Sequence, residues 1–90
     1  MSFEQNTKEI KDRLNIRELI EEYVDLEGNP AQPKGKCPFH EENTPSFIVY
    51  PEQGRWHCFG SCSIGGDHFD FLIKKEGITF PEAIAQLAKR

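Results

Sequence analysis

The sequence predicts an α+β domain, a β-hairpin with short helices before and after it. Three observations predict it. Two Cys/His pairs, Cys37-Pro38-Phe39-His40 and Cys58-Phe59-Gly60-Ser61-Cys62, bracket 17 residues. The interval between them carries a strand–turn–strand pattern. The segments outside them carry helical spacing and helix-capping residues. At 90 residues, with 37% hydrophobic residues, the chain has the size of one small domain over residues 1–90. Domains of this size are often marginal unless something staples them.

The N-terminal segment reads as helix from Thr7 to Val24. Ile10 and Leu14 are four apart, and Leu19, Ile20, Tyr23 and Val24 form a second apolar group. Asn15 as N-cap with Glu18 at N3 fits a capping box and divides the segment into two short helices. Gly28-Asn29-Pro30-Ala31-Gln32-Pro33 opposes helix and reads as a loop. Pro45–Tyr50 and Arg55–Cys58 read as strands, with Pro51-Glu52-Gln53-Gly54 as their turn. Phe47 and Val49 fall on one face of the first strand, Ile48 and Tyr50 on the other. Asp67 is placed to cap a helix running to about Glu76, with Gly77 at its C′ position. Thr79 and Glu82 form a second capping box for a last helix that puts Ile84, Leu87 and Ala88 on one face. That helix reaches Arg90 without a stop signal, so the natural chain is expected to continue. Phe47, Phe59, Phe69 and Phe71 are assigned to the core, since aromatic side chains dominate small cores.

Three cysteines within 26 residues, beside histidines, suit a metal site better than a disulfide framework. Soft thiolates with an imidazole select zinc. Short gaps within each pair let two side chains converge from one tight turn. The metal set is therefore Cys37, His40, Cys58 and Cys62, with His57 and His68 as rival fourth ligands. His57 adjoins Cys58 on a strand, where neighbouring side chains point to opposite faces. His68 falls in the first turn of the next helix, where it is expected to face solvent or to serve the helix end. Gly60, Gly65 and Gly66 are read as relieving backbone crowding near the metal. A filled four-ligand site leaves no position for water, so one structural Zn²⁺ is expected. His40-Glu41-Glu42 also matches the H-x-E of zinc deaminases, but Cys58 lacks the preceding proline and Cys37 would close the site.

The formal charge of −4 argues against unspecific attraction to nucleic acid. All the acid excess lies in residues 1–29, with eight acidic and four basic side chains. The middle segment is balanced, so a polyanion could be met there by a local surface. Its basic residues are Lys34, Lys36 and Arg55. With Tyr50 and Trp56 they form the candidate nucleic-acid surface, since single strands are held by basic grooves and aromatic stacking. A lone Trp in a small domain suits the core equally well. The acidic face of residues 18–27 reads as solvated, or as a dock for a basic partner. No apolar run approaches a membrane span, and the N-terminus has no secretory pattern, so a cytoplasmic protein is expected, with no membrane partner.

Cys37-Pro38-Phe39-His40, Thr44-Pro45-Ser46-Phe47, Trp56-His57-Cys58-Phe59-Gly60 and Gly65-Gly66-Asp67 occur in that order, flanked by Ile10-Lys11-Asp12-Arg13 and Thr79-Phe80-Pro81-Glu82-Ala83. This combination resembles the N-terminal zinc-binding domain of bacterial DnaG-type DNA primases, over about Ile10 to Lys89. The resemblance implies a small zinc ribbon, an antiparallel β-sheet with short flanking helices. It also implies the same four ligands. It further implies contact with a single-stranded DNA template, in support of RNA primer synthesis by a separate polymerase domain that holds the catalytic residues. Residues 1–90 show no such catalytic set. The replicative helicase is a further expected partner. Three features depart from the family pattern: Ser61 within the last ligand pair, Asn43 in place of a lysine, and a longer loop at 29–33. They read as marks of a divergent member, of the kind a phage or mobile element encodes, and bear on template-sequence preference. The competing reading is a stand-alone zinc-ribbon adaptor or transcription regulator without a priming role.

Overall fold

A computed structural model describes residues 3–39, 41, 44–60 and 63–89. The first helix, α1, spans Phe3–Arg13, and α2 spans Ile16–Glu21. The break between them is the one Asn15 predicts. Its Oδ1 accepts from the Arg17 and Glu18 backbone N–H groups at 2.8 and 3.4 Å, which supplies acceptors to two amides the helix leaves unpaired. α2 stops at Glu21, short of the predicted Val24; Tyr23 and Val24 follow in a turn closed onto the Ile20 carbonyl.

Four antiparallel strands form one sheet among the described residues, in the order β1 (Lys34–Gly35), β2 (Phe47–Tyr50), β3 (Arg55–Cys58) and β4 (Gly65–Gly66). The predicted hairpin is β2–β3, with Phe47 opposite Cys58 and Tyr50 opposite Arg55. Its turn is a short 3₁₀ segment, Pro51–Gln53, ended by Gly54 at φ 63°, a left-handed conformation that glycine adopts without steric cost. The outer strands β1 and β4 have two residues each and pair with β2 and β3. Gly35 is constrained by space. A Cβ there would stand 2.4 Å from the Asp25 carbonyl oxygen.

Gly65 and Gly66 let β4 approach β3 and the next helix. A Cβ on Gly65 would meet the Trp56 carbonyl at 2.8 Å, and one on Gly66 the Asp70 side chain at 2.4 Å. Helix α3, His68–Glu76, then starts on the predicted cap. Asp67 accepts from the Phe69 and Asp70 N–H groups, and Asp70 accepts from the Asp67 N–H in return. Gly77, at φ 68°, ends it. The Thr79–Glu82 capping box opens α4, Phe80–Ala88.

The core has two lobes. The sheet lobe gathers Ile16, Ile20, Phe47, Val49, Trp56, Cys58 and Phe71. The helical lobe gathers Ile10, Leu19, Phe69, Leu72, Ala83 and Leu87. Tyr23 packs against both lobes and donates its hydroxyl to Glu76 at 2.6 Å. Ala83 takes the buried place expected of Ala88, which is exposed. Phe47, Phe69 and Phe71 are buried as expected, but Phe59 is 60% exposed. It follows the last β3 residue on the face turned away from the core.

His68 also departs from expectation. It is 1% exposed, and its Nε2 lies 2.8 Å from the Leu14 carbonyl. A carbonyl can only accept, so Nε2 carries the proton, and the lone pair sits on Nδ1. Nδ1 is buried with no hydrogen-bond partner among the described residues. Burial is the largest influence on this imidazole and lowers its pKa; nearby Lys11 lowers it further, while the Leu14 carbonyl and Asp67 raise it. The sign follows directly: the unfolded chain binds the proton first, so the stability contributed by neutral His68 is present above the ordinary value of 6.5 and is lost as pH falls below it. His68→Leu is therefore expected to lower stability at pH 7 by removing the bond to Leu14. It should also flatten the loss of stability as pH falls below about 6.5, read by urea unfolding of the zinc-loaded protein at each pH. An unchanged slope would rule out His68 as its source.

Candidate metal centre and nucleic-acid face

Cys37 and Cys58 are both buried, at 5% and 0% exposure. The strand register brings them to the same end of the sheet. Gly35 and Cys58 flank Phe47 from opposite sides, and Cys37 lies two residues beyond Gly35. The first ligand turn is pinned by Phe39, whose ring packs on Trp56 at 5.4 Å, Phe71 at 5.6 Å and Phe47 at 6.3 Å. The second turn is closed by its backbone. The Cys58 N–H donates to the Ile64 carbonyl at 2.7 Å, and the Ser63 N–H to the Gly60 carbonyl at 3.2 Å. The Gly60 N–H points at Cys58 Sγ, 3.4 Å away. Backbone donors of this kind orient a thiolate and steady its charge.

His40 and Cys62, the other two predicted ligands, lie outside the described residues, as does Asn43. Among the described residues no three metal-binding side chains converge. Of the rival ligands, His57 lies on the face opposite Cys58, since the strand alternates exposed, buried, half-buried, buried. His68 is committed to Leu14.

The two faces of the sheet differ sharply. Phe47, Val49, Trp56 and Cys58 face the core. Ile48, Tyr50, Arg55, His57 and Phe59 share the outer face, and Lys34 joins them because it pairs with Ile48. The His57 and Phe59 rings stand 4.4 Å apart. With Tyr50, Gln53, Arg55 and Trp56 they line a hollow of about 270 Å³.

The proposed surface is thus divided by the structure. Lys34, Tyr50 and Arg55 lie on one face. Lys36 is exposed but lines a separate groove of about 560 Å³ beside Asp25 and Glu27. Trp56 is no platform. It is fully buried, stacked on Phe47 at 5.3 Å, and its indole N–H donates to the Asp67 carbonyl at 2.8 Å. It stands opposite Val49 in the register, one residue out of phase with Tyr50 and Arg55. Phe59 and His57 are the rings that stand on the outer face beside Tyr50 and Arg55. The alternation Arg55, His57, Phe59 was the available signal, masked by reading Phe59 as core.

A family model, the CHC2 zinc finger, matches residues 2–90. The chain belongs to the CHC2 zinc finger family. It is 45% identical over 87 residues to the DNA primase of Chlamydia trachomatis serovar D, covering 97% of this chain and 14% of that protein. It is 47% identical over 87 residues to the DNA primase of Halalkalibacterium halodurans, with the same coverage of both chains. It is 47% identical over 83 residues to that of Thermotoga maritima, covering 92% of this chain and 14% of the relative. The chain thus spans about one-seventh of the length of these relatives. Among solved structures, the zinc-binding and RNA polymerase domains of the Aquifex aeolicus primase align with a TM-score of 0.87 at 39% identity. That alignment covers 100% of this chain and 22% of the other. The CHC2 fold is therefore the zinc-binding domain type found in DNA primases, as the α+β reading expected.

A CHC2 zinc finger implies zinc. The described residues fit it on their own evidence: two buried sulfurs brought to one end of the sheet, with a backbone amide aimed at one of them. Cys37 and Cys58 would hold the ion. When bound, it joins the turn after β1 to the turn after β3.

Proposed function

We propose that this CHC2 domain is the template-binding module of a DNA primase, supporting RNA primer synthesis carried out by a separate polymerase domain. One observation carries the reading: the outer face of the sheet, where Lys34, Tyr50, Arg55, His57 and Phe59 stand over a closed aromatic core. Exposed rings flanked by cations suit a single strand, whose bases stack while its phosphates meet the charges. The metal is one structural Zn²⁺, held by Cys37, His40, Cys58 and Cys62. It sets the sheet in place and takes no part in chemistry. The module is non-catalytic by itself, and its partners are the single-stranded template, the polymerase domain and, in replication, the helicase. A cytoplasmic setting follows from that role. No helix among the described residues is long and apolar enough to cross a membrane.

The test is titration of the zinc-loaded chain with labelled single-stranded DNA at several salt concentrations, read by anisotropy. Tyr50→Ala and Phe59→Ala should each weaken binding by roughly 1–3 kcal/mol, the range for one stacked base. Arg55→Ala should weaken binding and reduce its salt dependence. Full affinity in all three variants at low salt would remove this face from the template site. It would favour the adaptor reading instead.

A further inference from the structure

On the far side of the hairpin turn lies a larger groove, of about 810 Å³. Its walls are the C-terminal half of α1, the Pro51–Gly54 turn and the first turn of α3. We infer that this groove carries the backbone of the same single strand onward from the sheet face, through Arg55, onto Lys8 and Arg13 of α1. The inference rests on the reading of the outer face as a single-strand site.

Three observations support it. First, Gln53 and Arg55 line both the hollow on the sheet face and this groove, so the two adjoin at these residues. Second, the cations of the groove differ in commitment. Lys11 is paired with Asp67 at 3.3 Å. Lys8, Arg13 and Arg55 have no ion-pair partner among the described residues. Third, two of the four carboxylates are held in the cap of α3. Asp67 accepts from the Phe69 and Asp70 amides as well as Lys11, and Asp70 accepts from the Asp67 amide. Asp12 and Glu52 remain on the walls. The groove lining balances four cations with four carboxylates, and among the described residues Lys8, Arg13 and Arg55 are the cations with no ion pair. A polar trough with unpaired cations suits a phosphate backbone better than an apolar segment. It also gives α1, inside the acidic part of the chain, a role in binding that overall charge conceals.

The test compares oligodeoxythymidylates of about 4 and about 12 nucleotides, the range over which single-strand sites vary in size. Binding to the zinc-loaded chain is measured by anisotropy from low to moderate salt. The probes are Lys8→Gln with Arg13→Gln, and Lys75→Gln on the exposed surface of α3 as a control. Circular dichroism and zinc content establish that each variant is folded. The double variant should bind the longer strand more weakly, most at low salt. Its slope of log K against log salt should shrink by about 1.4, at about 0.7 per lost phosphate contact. Its affinity for the short strand, and both affinities of Lys75→Gln, should match the parent chain. If the parent chain binds both strands and the double variant follows it with the same slope, the groove is overturned while the sheet-face reading stands. If the parent chain binds neither strand, both readings fall together.

Discussion

Cys58→Ser is expected to abolish zinc binding and the folded sheet together. Structural zinc is worth about 10–16 kcal/mol in apparent terms, against total domain stabilities of roughly 5–15 kcal/mol. Here the metal would tie the turn after β1 to the turn after β3, and the outer strand β1 has only two residues to hold it. Cys58 is also part of the sheet-lobe core, so its loss disturbs metal and packing at once. Zinc content by atomic absorption should fall from about one per chain to near zero, and near-ultraviolet dichroism from the aromatic cluster should collapse. His40→Ala and Cys62→Ser should behave alike, while His57→Ala should keep both zinc and fold. A Cys58→Ser chain that retained one zinc and a cooperative transition would refute the ligand set. Loss of zinc in His57→Ala would reassign the fourth ligand.

Trp56→Ala should cause the largest loss of stability among substitutions that spare the predicted ligands. Trp56 stacks on Phe47 and meets Phe39 and Phe71 edge-on or tilted, at 5.3–5.9 Å. Removing a buried Trp costs about 3–5 kcal/mol, and the Asp67 carbonyl loses one of its two donors, keeping the Phe71 N–H. With urea slopes of about 1–3 kcal/mol/M for small domains, the midpoint should drop by roughly 2 M. Trp56→Phe keeps a ring in the cluster and loses the hydrogen bond, a change of about 1 kcal/mol. Because the ring is buried, Trp56→Phe should leave single-strand affinity intact, in contrast to Tyr50→Ala. A loss of affinity in folded Trp56→Phe would restore Trp56 to the binding surface. By the same burial, Trp56 fluorescence reports the integrity of the fold rather than contact with a strand.

How much of this was legible depends on the range of the interactions involved. Asn15, Asp67 and Thr79 announce helix starts because a cap is settled within four residues, by a side chain and the amides just ahead of it. Gly54 and Gly77 announce a turn and a helix end because their backbone conformations are local. The paired cysteines were visible as spacing, and the CHC2 family followed from several short motifs in a fixed order. β1 and β4 were not visible. Two-residue strands have no periodicity, and Gly65–Gly66 has no side chains to alternate. They exist because longer neighbours offer them hydrogen-bonding edges.

The same division applies to the surface. Alternation along one strand puts Phe47 and Val49 together, but only the register with β3 tells which face is closed. That register put Trp56 in the core, the alternative left open by the sequence, and Phe59 on the outer face, against expectation. It also placed Arg55 opposite Tyr50. His68 looked like a helix-end residue because its partner, the Leu14 carbonyl, is 54 positions away. By itself, then, the sequence determined the helices and the central hairpin, their caps, the spacing of the Cys/His pairs and the family. Each is written in contacts a few residues long. The tertiary structure alone decided which aromatic side chains are core and which are surface, and which cations share a groove. Those outcomes depend on pairing between distant segments, where a shift of one residue turns every side chain to the other face.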